Sequence, residues 1–128
     1  MNDIAITLPT ANPWVRGETV IVSAEKALEA AQAVVDLCED LRVKEFKVAW
    51  AYDKPVDAVL NPYLPDGWQA SYAMLAAVVK VLREMTKGTD FTDWYNGVQA
   101  AYRTLRCRLA YATPGFVQAR QASAMRNN

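Results

Sequence analysis

The segment 67–87, GWQASYAMLAAVVKVLREMTK, constrains this chain more than any other stretch. Trp68, Tyr72, Leu75, Val79 and Leu82 form one apolar row at helical spacing, and Met74, Val78, Val81 and Met85 form a second. A helix with so wide an apolar face has to be covered from more than one side, so it is expected at the centre of the core. Gly88 supplies a natural stop just past its end. Asp66, followed three residues later by Gln69, resembles a capping box at its start, with Asp in place of Ser or Thr.

The other elements are expected to pack around that helix. Ile4, Ile6 and Leu8 alternate with Ala5 and Thr7, as in a half-buried strand, and the β-branched run Thr19–Val22 predicts a second. Ser23 suits an N-cap, with Glu25 in the first turn. The helix it opens, about 24–42, carries Ala27, Leu28, Ala31, Val34, Val35, Cys38 and Leu41 on one face and acids largely on the other. Phe46, Val48, Trp50 and Tyr52 alternate with Glu45, Lys47, Ala49 and Ala51, which predicts a third strand and a βαβ crossover.

Residues 53–67, with three prolines, read as a long irregular connection, a kind of segment that often carries function. Thr89 or Asp90 can cap a further helix over about 90–112, whose stripe is Phe91, Trp94, Tyr95, Val98, Ala101, Tyr102, Leu105 and Leu109. Pro114 can open a weaker last helix reaching about Met125. The expected fold is therefore one α+β domain spanning residues 1–128, in the order β-β-α-β-α-α-α. A two- to three-stranded sheet packs against three to four helices, with helix predominating.

Composition bounds the chemistry. The chain has 128 residues, 52% of them hydrophobic and 22% charged, which fits a globular domain rather than a disordered one. It has no histidine, which removes Ser-His and Cys-His nucleophile arrangements, HExxH zinc chemistry and histidine pH switches. The isolated glycines form no phosphate-binding loop, and no cofactor is expected. The start Met-Asn-Asp-Ile has no basic region or long apolar run, so no signal peptide is expected and a cytoplasmic location is. Cys38 and Cys107 both fall in predicted helices and are expected as buried thiols rather than a bridge.

Charge is balanced overall but divided along the chain. Residues 1–93 hold nine basic and fourteen acidic side chains, whereas 94–128 hold five arginines and no acid. Such a split points to an acidic partner, or to neutralisation of one part by the other within the fold.

Two candidate surfaces follow. Asn96, Gln99, Arg103 and Arg106 lie opposite the aromatic stripe of the 90–112 helix, with Arg108 at the edge and Tyr111 one turn beyond. Guanidinium groups beside amides can grip carboxylates or phosphates, although an exposed helix face is commonly charged without a ligand. The second surface is the proline-stiffened segment with Tyr63, Asp66 and Trp68, whose aromatic side chains suit a contact site, unless Val59, Leu60 and Leu64 tuck it onto the core. Catalysis or Mg²⁺ binding by Asp53 and Asp57 or Asp66 has no further support, because turn-forming Asp is ordinary in such a segment.

The leading expectation is a non-enzymatic protein–protein interaction module, an adaptor or inhibitor, with an acidic protein as partner. Small accessory proteins of phages and mobile elements offer an analogy of type. One alternative is nucleic-acid binding through the same arginines, which predicts a steep salt dependence. Another is a structural subunit of an oligomer or virion, in which the wide apolar helix face would be shared between copies.

Overall fold

A computed structural model describes residues 2–10, 12, 14–44, 46–89, 91–113 and 115, with the side chains of 91–95 outside the description. The chain is a mostly helical α+β fold. Strands β1 (Ile4–Thr7) and β2 (Thr19–Val22) pair antiparallel, with Ile4 opposite Val22 and Ile6 opposite Val20. Leu8 N–H extends the ladder by donating to Glu18 O at 2.8 Å. This register buries Ile6 and Val22 together under the helices.

Helix α1 (Ala24–Val43) begins where the sequence predicts, with the Ser23 hydroxyl accepting from Lys26 N–H and Glu25 in the first turn. It buries Ala27, Ala31, Val34, Val35, Cys38 and Leu41. The small residues Ala27, Ala30 and Ala31 let neighbouring helices approach closely. Helix α3 (Trp68–Thr86) fills the centre as expected. Both of its apolar rows are used: Met74, Leu75, Val78, Val79 and Leu82 are buried, and Trp68, Tyr72, Val81 and Met85 pack half-buried against the core. Helices α1 and α4 and both strands cover it. The wide face that would have been shared between copies is thus occupied within the chain.

Helix α4 (Phe91–Ala112) lies across α1 and α3 and buries Val98, Ala101 and Leu105. The side chains of Phe91, Trp94 and Tyr95, the Asp90 cap and the last helix to Met125 lie outside the described residues. Gly88 has φ +78°, the left-handed turn that ends α3. The Asp66–Gln69 capping box is absent: Gly67 is the N-cap, with no side-chain hydrogen bond to the helix.

Two expectations fail in the middle of the chain. The third strand does not form. Ala49–Tyr52 winds as a 3-10 turn and leads directly into helix α2 (Asp53–Leu60). The only sheet among the described residues is the β1–β2 pair, so there is no βαβ crossover. Alternation had suggested four side chains buried on one face, but only Tyr52 is, at 1% exposure.

The long irregular connection is likewise mostly helical. Pro55 sits in the first turn of α2, where its missing N–H breaks no internal bond. Val56 and Leu60, one turn apart, are fully buried beneath it. A second 3-10 turn, Asn61–Tyr63, follows.

Candidate partner-binding surface

The predicted arginine face divides into tied and free residues. Arg103 donates to Asp53 at 2.9 Å, and the Thr104 hydroxyl donates to the same carboxylate at 3.3 Å. Arg108 pairs with the Asp57 carboxylate and donates to Asn61 Oδ1 at 2.6 Å. Helix α2 thus presents Asp53 and Asp57, one turn apart, to two arginines of α4. These two pairs join the acidic N-terminal part of the chain to its basic C-terminal part. Arg106 is exposed, with no hydrogen bond or ion pair among the described residues.

The two pairs differ in environment. Arg108 is 22% exposed and serves several acceptors, whereas Arg103 is half exposed. Arg108→Ala should therefore lower the unfolding free energy by about 1–2 kcal/mol, and Arg103→Ala by less than about 1 kcal/mol. Equal losses in urea melts would contradict that ranking.

A cleft of about 570 Å³ runs along the α2–α4 seam, lined by Asp53, Asp57, Arg103, Arg108, Cys107 and Tyr111. Its charges are largely engaged with one another, and Cys107 is exposed rather than buried as expected. Among the described residues no cluster of His, Cys, Asp and Glu could hold a metal ion.

The proline-segment candidates are more retracted. Tyr63 and Trp68 are half-buried against the core, and Asp66 is exposed just before α3. Val59 and Leu64 pack beside them and Leu60 lies inside the core, so the segment is tucked onto the helices.

A different surface stands out between α1 and α2. Val43, Val48 and Trp50 are 82%, 45% and 70% exposed, and Phe46 lies at the edge of exposure. Exposed Lys44 and Lys47 alternate with them. The backbone beneath is fixed. The Phe46 carbonyl accepts from the Tyr52 hydroxyl at 3.1 Å and from the Asn96 amide at 3.2 Å. The Phe46 ring packs edge-on against Tyr52, with centroids 5.9 Å apart. Single apolar side chains on a surface are ordinary, but several in succession on an anchored backbone are not. Sequence reading saw these residues but assigned their alternation to a strand, which hid their exposure.

Buried groups under this strip are held neutral. Burial pushes the Cys38 thiol up to about 12, with Glu39 adding repulsion. Burial also raises the Tyr52 phenol, helped by Cys38 and opposed by Arg42. A raised acid pKa gives a stability contribution fully present below the unfolded value and lost up to the folded value, as the group ionises in the unfolded chain while it stays protonated in the folded one. The loss due to Cys38 should run from pH about 9 to about 12, at up to about 1.4 kcal/mol per pH unit. Urea melts of Cys38→Ala should show a shallower fall over that range; an unchanged slope would contradict it.

No family model matches the chain, and no curated protein or solved structure shows significant similarity to it. Among the described residues, no helix is long and apolar enough to cross a membrane.

Proposed function

We propose that this protein is a small non-enzymatic interaction module, an adaptor or inhibitor, that acts by occupying the surface of a partner protein. The observation that carries the reading is the strip from Val43 to Trp50, where Val43, Val48 and Trp50 stand in solvent on a pinned backbone. Tryptophan is among the residues that most often carry the binding energy of protein interfaces, and Val43 and Val48 add exposed apolar surface in the same segment. Because Tyr52 and Asn96 already fix the strip, little ordering entropy is lost when it docks. The non-catalytic part of the reading rests on the sequence, which has no histidine and no nucleophile or cofactor motif.

The test is affinity capture on the tagged full chain after nuclease treatment, compared with a Val48→Ser, Trp50→Ser variant of unchanged melting temperature. A stoichiometric protein retained by the parent and lost by the variant is the expected result. Equal retention by both would overturn the role of the strip. Loss of every partner on nuclease treatment would favour nucleic-acid binding, with Arg106, unpaired among the described residues, as the first arginine to test.

A further inference from the structure

Beside the strip, α3 and α4 diverge to form an open cleft of about 730 Å³, with Ala49 on its wall. Four cations line it: Arg83 and Lys87 from the end of α3, and Arg103 and Arg106 from α4. No acidic side chain lines it among the described residues. Arg103 is balanced by Asp53, but Arg83, Lys87 and Arg106 have no ion-pair partner among the described residues. Arg83 and Lys87 are spaced four apart, and Arg103 and Arg106 three apart, so each helix sets like charges side by side. Cations at the end of α3 also complement its dipole. That accounts for Arg83 and Lys87 but not for Arg106, which projects from a separate helix away from its end.

The same cleft is lined by Gln99 and by Tyr102, whose hydroxyl donates to Thr86 Oγ1 at 3.3 Å while the Thr86 hydroxyl donates to Leu82 O. The Gln99 amide can donate to a carboxylate and so orient it rather than only attract it, whereas the Tyr102 proton is taken by Thr86. We propose that the α3–α4 cleft binds a carboxylate-bearing segment of the partner protein, in which a run of acidic side chains adjoins a run of apolar ones. This rests on the interaction-module reading and adds to it the chemistry of the partner. That order is required because Ala49 belongs both to the cleft wall and to the segment bearing Val48 and Trp50. A chain crossing from one to the other meets cations and then apolar side chains. A polyphosphate chain would meet the same cations but would leave the adjoining apolar strip uncovered, and the protein as a whole carries no net positive charge to draw nucleic acid.

The probe is a synthetic eight-residue peptide of four Glu followed by four Leu, titrated into isotopically labelled full-length protein. A Ser–Leu peptide and an oligothymidylate of matched charge serve as the comparison arms. Binding of the Glu–Leu peptide should shift the resonances of Arg83, Lys87, Gln99 and Arg106 together with those of residues 48–50. Arg106→Glu and, separately, Arg83→Glu should each weaken it about tenfold or more. Both positions are exposed, so unchanged circular dichroism is expected of each variant. Undiminished affinity in both variants, equal binding of the Ser–Leu peptide, or tighter binding of the oligothymidylate would each overturn the proposal. A captured partner that is lost with Val48→Ser, Trp50→Ser but retained by Arg106→Glu and Arg83→Glu would sink this inference alone and leave the interaction-module reading in place.

Discussion

Tyr52→Ala should cost about 3–5 kcal/mol of unfolding free energy, the largest loss expected from a single side chain outside the helix cores. Tyr52 is 1% exposed, its ring packs on Phe46, and its hydroxyl is one of two donors to the Phe46 carbonyl. Truncation leaves a cavity of aromatic size between α1, α2 and α4. It also leaves the Phe46 carbonyl with the Asn96 amide as its remaining side-chain donor. Tyr52→Phe separates the two contributions, since it keeps the ring and removes the bond, and should cost about 1 kcal/mol. Urea denaturation of both variants checks the pair. Equal losses would mean that the hydroxyl, and not the ring, holds the turn.

Gly97→Ala is the second large effect, and its sign runs against helix propensity. In an exposed helix the change would stabilise by roughly 0.5–1 kcal/mol. At position 97 an added Cβ would fall 2.9 Å from Cys38 Sγ and still closer to Cys38 Cβ, on the facing turn of α1. Sγ could rotate away, but Cβ is fixed to the α1 backbone, so the helices themselves must separate. A net destabilisation of about 1–3 kcal/mol is expected. The double variant Gly97→Ala, Cys38→Gly should recover part of that loss relative to Cys38→Gly alone. A Gly97→Ala protein more stable than its parent would show that α1 and α4 are less tightly apposed.

Wherever periodicity was long, the fold was legible in the sequence. Helices α1, α3 and α4 lie within a residue or so of their expected bounds, because each carries an apolar row over about four turns or more. Ser23 and Gly88 mark their ends for the physical reasons expected of them. Short segments misled. Phe46, Val48, Trp50 and Tyr52 alternate like a strand, but a strand needs an edge to pair with, and nothing local records that β2 pairs only with β1. In 53–67 the prolines drew attention away from Val56, Val59, Leu60 and Tyr63, whose spacing is helical. Pro55 falls where a helix tolerates it.

The site was half legible for the same reason. The helical spacing puts Arg103 opposite the aromatic stripe and Arg108 at the edge of that face, but their partners sit on a helix read as a loop. The pairing of Asp53 and Asp57 with them was therefore out of reach. Arg83 and Lys87 drew no notice, since two cations at a helix end are common. Only the packing of α3 against α4 brings them beside Arg106.

Hydrogen–deuterium exchange on the full chain, with and without the captured partner, tests the central claim most directly. Protection gained over residues 46–51, and at the end of α3 around Arg83 and Lys87, is the predicted result. Protection confined to the outer face of α1 or to the β1–β2 connection around Trp14, with residues 46–51 unchanged, would contradict it.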